Sequence, residues 1–138
     1  VVKMNPEAGE RARKRWERIV IEAAKQSGSS VLSRVEGPVS FKRVLDEELS
    51  PADSSFLFHP GPAGLSFSAV VEDLRGAERR ESSPSAFLFF GPEGGFTEKE
   101  VRLAESRGVK KVSLGDSTLR LETAFLGVIS AIRFMVFS

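Results

Sequence analysis

The sequence predicts an α/β fold in which a parallel sheet carries helices on both faces. Apolar segments of strand length alternate with segments of helical period, and a glycine-rich loop, Gly91–Gly95, directly follows one of the later strands. Such alternation favours parallel strands joined by helices. With 138 residues, 41% of them hydrophobic, the chain has enough apolar material for one core, and we expect one domain over residues 1–138.

The first third of the chain predicts two helices and a short strand. Val1-Val2 is typical of the end of a strand, so we expect the domain to be truncated at its N-terminus. Apolar periodicity predicts a long amphipathic helix over residues 6–28, which Gly28 ends, and then a strand over Val31–Val35. Ser40 is placed to cap a second helix that extends to about Leu49.

The middle of the chain is less regular. Phe56–Phe58 predicts a brief buried strand, and the two prolines and one glycine of His59–Pro62 end it in a loop. The segment 64–74 fits a strand and a helix equally well, so both alternatives stay open. Residues 75–85 are polar and predict an exposed connection.

A buried strand followed by a glycine loop is predicted next. Ala86–Phe90 is a continuous apolar run of strand length, and Gly91–Gly95 follows it at once. Thr97 and Glu100 have the spacing of a capping box, so a helix is expected to begin there, and Gly108 provides its C-terminal stop.

Three loops are expected to meet at one edge of the sheet. Lys111–Leu114 predicts the last strand, Gly115–Arg120 the loop that follows it, and Leu121 the beginning of a final helix that is apolar on nearly every face. In open α/β sheets, ligands bind beyond the carboxyl ends of the strands. This edge would carry the last loop together with His59–Pro62 and Gly91–Phe96.

The glycines of the second loop permit two interpretations. Three glycines in five positions permit positive φ angles and let backbone N–H groups approach a nucleoside or an anion. A tight turn between strand and helix explains the same pattern. The sequence has no G-x-G-x-x-G fingerprint and no Walker loop that would decide between them.

Composition excludes several classes of function. The formal charge is +1, so nucleic-acid binding would need local basic patches. The chain has no Cys and one His, His59, which argues against a metal site. No segment has the pattern of a signal peptide, and the apolar run Ala124–Phe137 is too short to span a membrane. We therefore expect a cytoplasmic protein without a membrane partner.

Several motifs in combination resemble one family. They are Gly91–Phe96, Leu114-Gly115 and Leu119–Ala124, supported by Arg15–Ile19 and Glu22–Gly28. Together they resemble the bacterial small-subunit (16S) ribosomal RNA uridine-N3 methyltransferases of the SPOUT class. The resemblance implies a C-terminal trefoil knot, S-adenosylmethionine as cofactor, a homodimer and small-subunit ribosomal RNA as substrate.

The sequence also departs from this family. Ser29 and Ser33 stand where the family usually has Arg and Pro, which puts an RNA or loop contact there in doubt. Members also carry an N-terminal PUA-like domain and a first strand and helix that this sequence does not contain, in keeping with the expected truncation.

The resemblance further implies a bent cofactor whose adenine lies in an apolar slot read mainly by backbone groups. The residues expected to bind it are Phe58, His59, Gly91, Pro92, Glu93, Gly94, Gly95, Leu114, Gly115, Leu119, Arg120, Thr123 and Ala124. Glu93 fits a solvated loop carboxylate equally well, and a lone loop histidine is more often structural. Thr123 is also placed to cap the final helix.

Arg120 is the leading catalytic candidate, because a cation beside uracil would stabilise the developing N3 anion. Glu122 is a possible proton acceptor, although a carboxylate at a helix start is also favoured by the helix dipole. Arg11–Arg18, Lys42-Arg43 and Arg79-Arg80 are candidate phosphate contacts or solvated faces. The apolar final helix predicts either a core helix or a subunit interface.

Two rival functions stay open. One is methylation of a ribose 2′-hydroxyl by a related SPOUT enzyme, although the Asn usual in the first motif of such enzymes is absent near Phe87–Gly95. The other is a cofactor-binding or RNA-binding module without catalysis.

Overall fold

The computed structural model describes residues 6–28, 30, 32–51, 53–80, 85–92, 94–115 and 120–137. The chain divides into two compact units, residues 1–43 and residues 44–138. The predictions made for Val1-Val2, Ser29, Glu93 and Leu119 fall outside the described residues. Within the described part, no helix is long and apolar enough to cross a membrane.

The first unit is built on a helix of 22 residues, α1 (Pro6–Ser27), followed by the short α2 (Phe41–Arg43). Helix α1 ends where predicted, because Gly28 has a φ of 66° that side chains rarely adopt. The hydroxyl of Ser40 accepts a 3.3 Å hydrogen bond from the backbone N–H of Arg43, which confirms the predicted cap.

The predicted strand over Val31–Val35 is wrong for its described residues 32–35, which belong to no β-ladder. A strand is stable only when its backbone groups pair with a neighbour. Leu32 is 58% exposed, so its side chain provides little burial that would hold the segment against a sheet.

The second unit begins with a π-helical turn over Val44–Glu48, which extends the predicted second helix almost to Leu49. In the described part of this unit, strands and helices then alternate. They are β1 (Ser54–His59), α3 (Phe67–Arg80), β2 (Ala86–Phe90), α4 (Glu98–Ser106), β3 (Lys110–Ser113) and α5 (Leu121–Val136).

The three strands form a parallel sheet in the order β2-β1-β3. Phe58 pairs with Phe90 and His59 pairs with Ser113, so all three strands end at the same edge. The loops after the strands therefore leave from one edge, as predicted. After β1 the chain crosses this edge, and Leu65 pairs with Val112 in a parallel bridge.

One face of the sheet holds the main core. Phe56 and Phe58 of β1 and Val112 of β3 pack with residues of α3 and α5; the helical members of this cluster are Val70, Val71, Leu74, Val128, Ile132 and Val136. Helix α4 contacts β3, and its buried Val101 and Ala104 lie outside this cluster, as the predicted placement of helices on both faces requires.

The open question over residues 64–74 has a mixed answer. Leu65 pairs with β3, whereas α3 begins at Phe67 and places Val70, Val71 and Leu74 against the sheet at helical spacing. The prediction of an exposed connection over residues 75–85 is wrong as far as Arg80, because α3 continues to that residue and buries Ala77.

Helix α5 is not a central core helix. It buries one stripe, Val128, Ile132 and Val136, and leaves other apolar side chains exposed. The N-cap residue is Arg120, whose side chain makes no capping hydrogen bond, so the prediction of Thr123 as cap is wrong. Thr123 lies inside the first turn, where Ala124 N–H already donates to the carbonyl of Arg120 at 2.9 Å.

Candidate functional site

His59 is the last residue of β1, the central strand. It lies at the edge of the sheet where the strands end and the loops leave, which we call the loop edge. Its Nδ1 is a buried atom that has no hydrogen-bond partner among the described residues. A buried polar atom without a partner costs about 1–3 kcal/mol, so such atoms are rare in folded proteins unless a ligand or water satisfies them. The imidazole of His59 is therefore placed to accept or donate one hydrogen bond at this edge.

The glycine loop after β2 folds back on itself beside this histidine. The N–H of Gly95 donates to the carbonyl of Pro92 at 2.7 Å, and Gly95 has a φ of 71°. A Cβ atom at Gly95 would lie 3.8 Å from Cε1 of His59. A Cβ atom at Gly94 would meet nothing within 4 Å, so the backbone there faces open space.

The loop after β3 is held by Ser113. Its hydroxyl donates to the carbonyl of Gly61 at 2.5 Å and accepts from the N–H of Gly115 at 3.1 Å. Gly61 belongs to the loop after β1, so one side chain ties the first and third loops together. The backbone of Gly64 packs against the backbone of Ser113, because a Cβ atom on Gly64 would lie 2.9 Å from the Ser113 nitrogen.

A cavity of about 190 Å³ lies next to this tie. Its lining comes from the last strand end and from α3 and α5: Phe67, Leu114, Thr123, Ala124, Gly127, Val128 and Ala131. Leu114, Thr123 and Ala124 were all predicted as binding residues, and they share this one apolar cavity. Its walls fit an apolar ring better than a charged group.

Arg120 and Glu122 lie where α5 begins. Both side chains are exposed, and neither makes an ion pair or side-chain hydrogen bond with the part of the chain described here. Glu122 is in the first turn of α5, where the helix dipole favours a carboxylate. The guanidinium of Arg120 is therefore exposed at the start of α5, where it can contact a bound molecule.

The structure thus brings most of the predicted site residues to one edge. His59, Gly91, Pro92, Gly94, Gly95 and Gly115 lie in or beside its loops, and Leu114, Thr123 and Ala124 line the cavity. The side chain of Phe58 is 4% exposed and stacks on Phe90 at 4.8 Å between ring centroids, so it belongs to the core. Glu93 and Leu119 lie outside the described residues.

Sequence reasoning missed Ser113 and Gly64. A serine within an apolar strand and a glycine after a proline-rich loop carry no local signal of their role, since that role depends on contact between distant segments. Of the described residues, no group of three His, Asp or Glu side chains is placed to hold a metal ion.

A parallel sheet with helices packed on it and loops leaving its carboxyl edge defines an α/β domain of the class in which ligands commonly bind at that edge. The chain belongs to the RNA methyltransferase domain family, whose model matches residues 1–133.

Individual relatives carry more specific names. The chain is 36% identical over 139 residues to ribosomal RNA small subunit methyltransferase E of Bacillus subtilis, covering 97% of this chain and 51% of that protein. It is 35% identical over 112 residues to the protein of the same name from Synechocystis, covering 80% of this chain and 34% of that one. The chain therefore spans about half or less of these relatives.

A solved structure is similar in fold. The crystal structure of a ribosomal RNA small subunit methyltransferase E from Neisseria gonorrhoeae, bound to S-adenosyl methionine, superposes with a TM-score of 0.76 at 28% identity. The match covers 91% of this chain and 48% of that one.

Proposed function

We propose that this chain is the methyltransferase domain of an enzyme that transfers a methyl group from S-adenosylmethionine to N3 of a uridine in small-subunit (16S) ribosomal RNA. The observation that carries the proposal is the loop edge around His59, in a chain of the RNA methyltransferase family. The names of the relatives support small-subunit ribosomal RNA as the substrate, and the ligand of the Neisseria gonorrhoeae structure supports S-adenosylmethionine as the cofactor. The choice of uridine N3 rests on the family that the sequence motifs resemble.

The residues present fit this cofactor. Nδ1 of His59 is a buried polar atom that a ligand hydroxyl or amine would satisfy. The open backbone at Gly94 admits a ligand close to its N–H group, and the apolar cavity beside Leu114 suits an adenine ring. His59, Gly91, Pro92, Gly94, Gly95, Leu114, Gly115, Arg120, Thr123 and Ala124 would hold the cofactor, together with Phe58 through its backbone.

When bound, S-adenosylmethionine supplies an electrophilic methyl group on a sulfonium. The chain has to orient the uracil ring and favour loss of the N3 proton. Orientation contributes most, because well-placed reactants recover about 7–11 kcal/mol of a barrier. The guanidinium of Arg120 would stabilise the uracil anion and lower the pKa of N3, and Glu122 is the nearest carboxylate in sequence that could accept the proton.

The finer features of the fold belong to the same proposal. A C-terminal trefoil knot is supported by the chain path after β1, which crosses the end of the sheet so that Leu65 pairs with β3 beyond it. A homodimer is supported by the exposed apolar side chains of α5, among them Leu126 and Phe134. A cytoplasmic location follows from the ribosomal substrate.

Basic side chains offer sites for RNA phosphates. Arg79 and Arg80 are exposed at the end of α3, in the second unit. In the first unit, Arg11 and Arg15 are among the basic residues of α1, whereas Arg13 is held by ion pairs with Glu10 and Glu17. The ion-paired arginine is the poorest candidate, since phosphate would have to displace two carboxylates.

Calorimetric titration with S-adenosylmethionine, followed by an assay on 30S subunits that lack the modification, tests the proposal. We expect heat of binding and, after nuclease digestion and mass spectrometry, 3-methyluridine in the ribosomal RNA. No heat on titration would contradict the assigned cofactor. Heat without methylation would favour a binding module, and 2′-O-methylation would favour a related SPOUT enzyme.

A further inference from the structure

We infer that the Ser113 hydroxyl is a positioning group that clamps the loop after β1 to the loop after β3 and so sets the shape of the cofactor slot. The inference rests on the proposed function for its ligand. It names a role for a side chain that no motif of the sequence singled out.

The Ser113 hydroxyl acts both as a hydrogen-bond donor and as an acceptor. Ser113 Oγ donates to the Gly61 carbonyl at 2.5 Å and accepts from the Gly115 N–H at 3.1 Å. The backbone of Ser113 is itself fixed, because its N–H donates to the carbonyl of Leu65 at 3.0 Å and the residue pairs with His59 in the sheet. A rigid strand end therefore holds two loops through one side chain.

No neighbouring atom restrains the two loop glycines on the side where a Cβ atom would lie. Gly61 has a φ of 111° and Gly115 a φ of 94°, and a Cβ on either would meet no atom within 4 Å. Glycine has the widest conformational freedom of any residue, so the hydrogen bond between each glycine and Ser113 restricts a backbone that could otherwise move. Without the hydroxyl, the backbone at both positions would sample many arrangements, and ligand binding would have to order it.

The clamp also flanks a residue of the cavity wall. Leu114 lies between Ser113 and Gly115 and lines the cavity together with Thr123 and Ala124. Holding Gly115 in place fixes the direction in which the chain leaves Leu114. Ser113 thus acts on the cofactor through the loops and Leu114.

A pair of variants of equal shape isolates the hydroxyl. Ser113→Thr keeps the oxygen and Ser113→Val replaces it by a methyl group, while both add the same branch, which a strand tolerates. We expect Ser113→Val to weaken S-adenosylmethionine binding about tenfold in calorimetry, and Ser113→Thr to stay within about twofold of the parent chain. Ser113→Ala, which adds no volume, should behave like the Val variant.

Two further readouts separate positioning from general stability. When the rate on 30S subunits is measured as a function of cofactor concentration, Ser113→Val should raise KM for S-adenosylmethionine by a larger factor than it lowers kcat. Hydrogen exchange at the Gly115 amide, measured by NMR without ligand, should speed up about tenfold in Ser113→Val and not in Ser113→Thr.

The outcomes are distinct. Parent-like affinity in the Ala and Val variants, or equal loss in Thr and Val, would overturn the inference. Unchanged exchange at Gly115 would overturn the clamp even if the parent chain bound no cofactor. Absence of binding by the parent chain would instead contradict the proposed function, while the exchange rates would still decide whether the clamp exists.

Discussion

Gly91 and Gly95 approach each other so closely that a Cβ atom on Gly91 would lie 3.1 Å from the Cα of Gly95. The same Cβ would be 3.2 Å from Cδ2 of Phe96. Backbone atoms cannot rotate away as a side chain can, so the loop backbone would have to shift by a few tenths of an ångström. We expect Gly91→Ala to lower the free energy of unfolding by about 1–3 kcal/mol in urea denaturation.

Gly94→Ala is the matched variant, because a Cβ on Gly94 would meet nothing within 4 Å. Its unfolding free energy should stay within about 0.5 kcal/mol of the parent. If the open space at Gly94 admits the cofactor, however, Gly94→Ala should weaken S-adenosylmethionine binding. Unchanged affinity would mean that the loop is only a turn, which is the alternative that the sequence left open.

The contacts of Asp73 predict that its carboxylate contributes to stability in a pH-dependent way. Asp73 lies beside the first residues of β1 and β3, at the end of these strands opposite to the loop edge. Its carboxylate accepts 2.8 Å hydrogen bonds from Ser54 and Lys110. Burial raises the pKa of Asp73, but the bonds from Lys110 and Ser54 and the charges of Lys110 and Arg80 outweigh burial and hold this pKa below 3.8. The charged form is therefore favoured by folding.

A depressed carboxylate pKa stabilises the fold above the ordinary value and loses that effect as the pH falls through the folded-state pKa. We expect Asp73→Asn to be less stable than the parent by a constant amount above about pH 5, with the difference shrinking below about pH 4. Urea midpoints at pH 7, 5 and 3 measure it. A difference that did not vary with pH would show that the charge of Asp73 plays no part.

Glu22→Gln serves as the control for that series. Glu22 pairs with Lys25 at 2.9 Å on α1, but both side chains are more than 60% exposed. Exposed pairs of this kind contribute about 0–1 kcal/mol, so the midpoint should change little at pH 7.

Local signals in the sequence predicted much of the fold. The capping box of Thr97 and Glu100 is present, with the Thr97 hydroxyl accepting from Glu100 N–H and the Glu100 carboxylate accepting from Thr97 N–H. Gly108 has a φ of 84° just beyond α4. Both features depend on residues within one or two helical turns, and such spacing can be read without knowing the tertiary contacts.

Features that depend on distant segments were missed. The bridge between Leu65 and Val112 and the clamp of Ser113 on Gly61 join residues about fifty positions apart. The strand predicted at Val31–Val35 is wrong in its described residues 32–35 for the opposite reason, since residues suited to a strand have no described partner strand. At the site, glycines were recognised from their local pattern, whereas the buried Nδ1 of His59 became evident only from its surroundings.

The exposed apolar face of α5 predicts an effect of charge on assembly. Leu126 is 63% exposed and Phe134 74% exposed, and the two lie eight residues apart on one side of the helix. If this side is the proposed dimer interface, Leu126→Glu and Phe134→Glu should each convert a dimer to a monomer in analytical ultracentrifugation, because an unpartnered carboxylate is costly to bury.

Lys99→Glu is the control for assembly, since Lys99 is exposed and belongs to α4 and not to α5. It should leave the sedimentation coefficient unchanged. A parent chain that sediments as a monomer at micromolar concentration would contradict the proposed dimer for this domain.

Arg120 tests the proposed chemistry most directly. Its backbone caps α5, but its exposed side chain makes no capping hydrogen bond, so truncation removes no hydrogen bond that ties the helix start to the described residues. We expect Arg120→Ala to lower kcat on 30S subunits by about 10²–10³, the range for removal of one group that stabilises a developing anion. Cofactor affinity should change by less than about threefold, because the backbone provides most of the binding.

Arg120→Lys should recover part of the rate by restoring the charge without the planar fork. Equal loss of affinity and turnover in Arg120→Ala would show instead that the side chain shapes the slot.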